Sequence, residues 1–246
     1  GVLDVNIHQI LKAHVYLVLI GYIGITIMGM SLILLPMFWL SHGFSWVYVK
    51  TALVLLCIGI VFVVVSAFIN IDFFEYSGYM LTFLALILYF VQIFIIYKTR
   101  VRIEKDIYFK SMVFSYISLF VAILMGIVYI FNPVQSLLLA IGWISILGFI
   151  TFVTTGHLYK IIPFLVWYER FSPYIGKKKV PMLADMIPTK SANIQFDFSC
   201  FGVIVSSIGI LFMDDSIYKS GVSLLCIGAI FLFKDIIYMI RFKEDV

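Results

Sequence analysis

Seven apolar runs, each long enough to cross a lipid bilayer, are the feature that most constrains this chain. A transmembrane helix needs about 20 such residues, and because lipid satisfies no backbone polar group, these runs must form helices. Only 12% of the 246 residues are charged and 63% are hydrophobic, which excludes a soluble domain. We therefore predict an all-α integral membrane protein, a single domain over residues 1–246, with spans at about 11–40, 46–70, 76–97, 108–131, 136–157, 195–213 and 217–240.

The charges of the connections predict the orientation of the chain. Residues 98–105 and 160–190 are basic, whereas residues 70–75 and 213–216 are acidic. Because positively charged loops stay in the cytoplasm, we expect the N-terminus outside, the C-terminus in the cytoplasm and a multi-pass location in the inner (cytoplasmic) membrane. The net charge of +4 is modest, so a lipid bilayer, and not nucleic acid, is the expected partner.

The connection that follows the fifth span mixes aromatic, aliphatic and charged residues in "GHLYKIIPFLVWYERFSPY". This composition is typical of an amphipathic helix in the headgroup region, and we predict one at about residues 157–173. Pro163 is expected to kink or restart that helix. The sequence begins at Gly1 and not at Met, which leaves an upstream helix open.

The sequence carries few signs of soluble-enzyme chemistry. It has no GxGxxG, P-loop, GxSxG or HExxH motif. Its three cysteines, Cys57, Cys200 and Cys226, show no CxxC spacing and are predicted to be packing residues. Asp235 adjoins Lys234, and we expect partial compensation of its charge by that lysine.

The first span presents a histidine followed by small residues in "KAHVYLVLIGYIGITIMGMSLILLPMF". At 100° per residue, Gly21 lies about 20° from His14 around the helix, Met28 about 40° and Gly29 about 60°. A ligand above such a low-relief surface would let a flat macrocycle lie close against the helix. The spacing leaves a plainer alternative open, in which the glycines let two helices touch and the histidine sits in the polar interface.

The order His14, Gly29 and Pro36 resembles the second transmembrane helix of subunit I in the haem-copper oxidase superfamily. The resemblance covers residues 12–38, and "TTGHLYKIIPFLVWYERF" is similar to parts of uncharacterised membrane proteins related to that superfamily. It implies that His14 is an axial ligand of a b-type haem, beside Gly21, Met28 and Gly29. It also implies an electron-transfer or accessory subunit of a respiratory membrane complex, with other membrane subunits as partners.

The sequence departs from that superfamily at its oxygen site. The His-x-His pair and the adjacent His-His pair are both missing, and the four histidines are His8, His14, His42 and His157. Oxygen reduction by this chain alone is therefore excluded, and no catalytic residue is assigned. A haem on His14 would take an open sixth position or a second ligand, for which the candidates are His8, Met80, Met125 and Met213.

Two further histidines are secondary candidates for a metal site. His42 and His157 both fall at the predicted cytoplasmic edge, on the same side as Asp185, Asp197 and Cys200. Two other functions stay open at this point. One is a cofactor-free structural or assembly subunit, and the other is a transporter of a small solute or metal with His42 and His157 near a cytoplasmic gate.

Overall fold

The computed structural model describes residues 7–69 and 71–243, and these residues form seven long apolar helices. No strand occurs in the described ranges. Each helix is long and apolar enough to cross a membrane, so the prediction of an all-helical fold with seven long apolar helices is confirmed for the described residues. The helices are α1 (Ile7–Trp39), α2 (Val47–Ile69), α3 (Asp72–Lys98), α4 (Ile107–Phe131), α5 (Gln135–Arg170), α6 (Thr189–Phe212) and α7 (Asp215–Ile240).

Helix α5 differs from the predicted fifth span. The span was expected to end at residue 157, but α5 continues to Arg170 through Pro163, which is buried and does not restart the helix. A contact that the sequence does not reveal holds the extension. The Lys160 ammonium forms a 2.6 Å ion pair with the Asp106 carboxylate at the start of α4. The location of this extension in the headgroup region stays a prediction.

Two helices contain π-helical stretches, Leu17–Gly24 in α1 and Ile144–Ile150 in α5. A π-helix bonds residues five apart, whereas an α-helix bonds residues four apart. Each residue in such a stretch therefore turns through less than 100°, and the faces beyond it are displaced around the helix. Both π-containing helices are followed by a loop and then by two helices that are joined by only two residues.

The chain divides into two compact units, Gly1–Ile103 and Glu104–Val246. The single domain expected from the sequence stays a prediction, and each unit is described by itself. In the first unit, α2 and α3 touch at two glycines. A Cβ atom on Gly59 would lie 2.9 Å from the carbonyl oxygen of Gly78, so neither position tolerates a larger residue without a shift.

In the second unit, α6 and α7 touch in the same way. A Cβ atom on Gly221 would lie 2.7 Å from the Cα atom of Ser206, and one on Gly202 would lie 3.0 Å from the carbonyl oxygen of Gly221. The indole Nε1 of Trp143 donates to the Ser206 hydroxyl at 2.7 Å and ties α5 to this pair. Asp214 caps α7, since its Oδ1 accepts from the two backbone N–H groups of residues 216 and 217.

Candidate functional site

His14 is exposed on α1, next to a polar cluster that joins α1 to α3. The Lys12 ammonium pairs with the Glu75 carboxylate at 2.6 Å, and the Tyr79 hydroxyl donates to the same carboxylate at 2.9 Å. The Tyr16 hydroxyl is hydrogen-bonded to that of Thr82. Lys12 and Tyr16, two residues before and after His14, thus hold α1 against α3 and leave the His14 imidazole on the surface of the first unit.

The structure does not place the predicted stripe on one exposed face. Gly21 is buried, and a Cβ atom there would lie 3.7 Å from the Ile60 side chain. Met28 is 2% exposed, whereas His14 is exposed. Gly29 is half-buried and borders open space, since a Cβ atom there would meet nothing within 4 Å. The prediction assumed a turn of 100° per residue along the whole helix. That assumption fails because the π-helical stretch Leu17–Gly24 lies between His14 and the residues that follow it.

The surface around His14 nevertheless suits the ligand chemistry of a haem. An imidazole is a common axial ligand of haem iron. Four exposed side chains near His14 on α1 are apolar or aromatic, as a porphyrin face requires, and the charged Lys12 is also exposed, at 52%. The four apolar or aromatic side chains are Leu11 at 57% exposure, Val15 at 46%, Val18 at 40% and Tyr22 at 76%. His14 therefore fits a haem as its ligand, but buried Gly21 and Met28 do not line the same surface.

The two secondary candidates lie in different environments. His42 is exposed in the loop that follows α1. His157 is half-buried on α5, where its Nδ1 donates to the Val153 carbonyl at 2.7 Å and its ring meets the Tyr108 ring edge-on, with 5.2 Å between centroids. In the ranges that the structure describes, no group of three or more His, Cys, Asp or Glu side chains is placed to hold a metal ion. Metal ligation by His42 and His157 stays a prediction.

A buried polar cluster, which the sequence analysis missed, joins α5, α6 and α7. Asp235 has no exposed surface, and the Tyr159 hydroxyl lies 2.7 Å from its Oδ2. The same hydroxyl lies 3.5 Å from Oε1 of Gln195, which is 4% exposed, and the Gln195 Nε2 donates to the Ser199 hydroxyl at 2.9 Å. We call these four residues the Asp235 cluster.

Lys234 does not compensate the charge of Asp235, contrary to expectation. Its side chain is exposed, and its ammonium lies over the Phe231 ring, 5.7 Å from the centroid. Neighbours in a helical sequence point about 100° apart, so adjacency on α7 separates the two side chains. The spacing of Asp235 would have indicated that it is buried, because it follows Gly221 and Gly228 at steps of seven residues and so lies on the same face of α7.

A second buried polar side chain occurs in the first unit. Gln92 on α3 is 1% exposed, and neither atom of its amide has a hydrogen-bond partner among the described residues. Its helix carries Tyr89 and Ile93 beside it, both buried. Gln92 therefore lies in the packed face of α3 and presents no exposed ligand.

Comparison of this chain with models of protein families, with curated proteins and with solved structures found no match.

Proposed function

We propose that this chain is a haem-binding membrane protein similar to subunit I of haem-copper oxidases, without their oxygen-reducing site. In this proposal His14 is the axial ligand of a b-type haem, and the protein serves electron transfer or is an accessory subunit of a respiratory complex. It lies in the cytoplasmic membrane with its N-terminus outside, in contact with other membrane subunits. The observation that carries the proposal is the exposure of the His14 imidazole among apolar side chains on α1.

The environment of His14 supports a ligand more than a packing role. A histidine that served to join α1 to α3 would point at α3, as Lys12 and Tyr16 do. His14 is instead exposed beside Val15 and Val18. A haem bound there would supply one-electron transfer. The side chains of this chain would hold it at the iron and cover part of one porphyrin face.

Haem titration of the purified protein tests this role of His14. Haemin is added to the full chain in detergent, and binding is followed by the Soret absorption. We expect His14→Ala to weaken binding by at least about 100-fold, because even outer partners of a metal ligand are worth about 10- to 100-fold. His42→Ala is the matched control, since His42 is also exposed but lies in a loop. Equal binding by the His14→Ala variant and the wild type would contradict the proposal.

A cofactor-free structural subunit is the second candidate, and a specific feature favours it. Gly126 and Gly142 border open space, with nothing within 4 Å of a Cβ atom at either position. Glycines of this kind let a helix from another chain approach closely. This role predicts that the protein co-purifies with a larger membrane assembly while its visible spectrum stays blank, and that Gly126→Leu weakens the association.

A further inference from the structure

Asp235 occupies a place on α7 that packing alone does not explain. The buried residues of α7 are Gly221, Gly228, Asp235 and Met239, so the helix turns only a narrow stripe inwards. Gly228 serves close contact, since a Cβ atom there would lie 3.1 Å from the backbone nitrogen of Ser199. A carboxyl group in the same stripe, with no exposed surface, is strongly unfavourable as an ion unless it is paired.

The charged groups on the neighbouring elements do not pair with Asp235. Lys160 follows Tyr159 on α5 but is bound to Asp106 at 2.6 Å, and Lys234 is exposed over the Phe231 ring. Oδ1 of Asp235 has no hydrogen-bond partner among the described residues. Other titratable groups on α4 to α6 have different partners or are exposed. His157 is bonded to Val153 and Lys110 to Asn193, while Lys190 and Asp197 are exposed.

The hydrogen-bond geometry of the Asp235 cluster indicates that a proton on Asp235 would complete its hydrogen bonds. The Tyr159 hydroxyl has one hydrogen but two acceptors in reach, Oδ2 of Asp235 at 2.7 Å and Oε1 of Gln195 at 3.5 Å. If Asp235 is ionised, Tyr159 donates to it and Gln195 Oε1 loses its donor. If Oδ2 carries a proton, Asp235 donates to Tyr159, Tyr159 donates to Gln195, and Gln195 donates to Ser199 at 2.9 Å.

We propose that Asp235 binds an exchangeable proton at Oδ2. Tyr159, Gln195 and Ser199 form a hydrogen-bond chain with it, in which the Tyr159 hydroxyl changes its acceptor from Gln195 to Asp235 when the proton leaves. Protonation makes the carboxyl neutral and gives a donor to Gln195 Oε1. Release breaks the O–H bond of the acid, passes the proton to water and leaves the carboxylate, to which Tyr159 turns its hydroxyl. The buried side chains Ile107, Ala192 and Met239 pack against Tyr159 in an apolar core cluster. The proton is therefore held apart from bulk water.

A proton fits this site better than a metal ion does. Helices α6 and α7 are in backbone contact at Gly228 and Ser199, one turn of α6 from Gln195. A hydrated or multiply ligated ion needs several oxygens around it, and the Ser199 hydroxyl and the Gln195 amide are already bonded to each other. The Asp235 cluster lies in the second unit, whereas His14 lies in the first.

Infrared spectroscopy of the full chain in detergent or lipid tests the proposal. A protonated carboxylic acid has a C=O stretching band that a carboxylate lacks, and deuterium exchange shifts it. We expect such a band in the wild type at neutral pH, its loss in Asp235→Asn, and its retention in Asp197→Asn, which removes an exposed carboxyl from α6. We expect Tyr159→Phe to shift the band to higher frequency, because the acceptor of the acid proton is gone.

Two results would overturn the proposal. One is a wild-type spectrum without an aspartic acid band at neutral pH, which carbon-13 labelling of the aspartates establishes without any variant. The other is a band that survives Asp235→Asn or does not move in Tyr159→Phe, since either result would assign the proton to another residue or to a purely structural acid.

Discussion

At the scale of single residues, Asp106 shows how one side chain can have two roles. Its Oδ1 accepts from the backbone N–H of Phe109 at 2.9 Å and caps α4, while its Oδ2 pairs with Lys160 on α5 at 2.6 Å. The side chains of Lys160 and Asp106 are 13% and 25% exposed, so water reaches the pair only in part. Asp106 therefore fixes the start of α4 and the late part of α5 together.

Replacements of Asp106 separate these two roles. Asp106→Asn retains an oxygen that can cap the helix but removes the ion pair, whereas Asp106→Ala removes both. We expect the alanine variant to be less stable than the asparagine variant by about 1 kcal/mol, the usual value of an N-cap. Unfolding by denaturant in mixed micelles, followed by circular dichroism, measures the difference. Equal stabilities would mean that the Asp106 side chain does not cap α4.

Residue-level prediction from the sequence succeeded for the composition of the spans and failed for buried polar groups. The sequence marked Asp235 as a charge beside Lys234, yet the structure turns the two side chains apart and buries the carboxyl. The other members of its cluster, such as Tyr159, lie 36 to 76 residues away in the sequence and leave no local pattern. Burial of this kind depends on tertiary packing, which periodicity does not encode.

At the scale of helices, small residues determine which pairs come close. Gly59 and Gly78 allow backbone contact between α2 and α3, and Gly221 allows it between α6 and α7. Without a hydrophobic driving force between helices in lipid, such contact contributes van der Waals attraction over a long seam. Glycine at these positions is therefore a packing requirement of the fold.

A pair of glycine substitutions tests that requirement. We expect Gly221→Ala to destabilise the second unit by about 1–3 kcal/mol, the usual cost of overpacking, because the new methyl group would clash with the backbone nitrogen of Ser206 and lie 2.7 Å from its Cα atom. Gly126→Ala is the control, since its methyl group would meet nothing within 4 Å, and it should be neutral or stabilise its helix by up to about 1 kcal/mol. Thermal unfolding in detergent compares the variants, and equal effects at both positions would contradict the packing account.

The number and the type of the helices were predictable from hydropathy, but their internal geometry was not. Helix α6 begins at Thr189, before the predicted residue 195, because polar residues in its first turns are excluded from an apolar window. The π-helical stretch in α1 displaced Gly21 and Met28 from the face of His14. Leu17–Gly24 has the same apolar composition as an ordinary membrane α-helix, so no residue in it indicates the change to π-helical geometry.

At the scale of the whole molecule, the charge pattern predicts the orientation in the membrane. Lys178 is exposed between α5 and α6, and Ser216 is exposed at the start of α7. In a chain whose three native cysteines are replaced by serine, we expect Ser216→Cys to react with an impermeant thiol reagent in intact cells. Lys178→Cys should react only after the membrane is opened, because basic loops stay in the cytoplasm. The reverse pattern would overturn the orientation.

A pyridine haemochrome assay measures whether the whole protein carries haem on His14. The full chain is purified from cells that are amply supplied with haem, next to its His14→Ala variant. Our account predicts the spectrum of a b-type haem from the wild type, at about one haem per chain for a single axial histidine, and a loss of this haem from the variant. A wild-type protein that is folded but shows no haem band, or a variant with the same haem content, would contradict it.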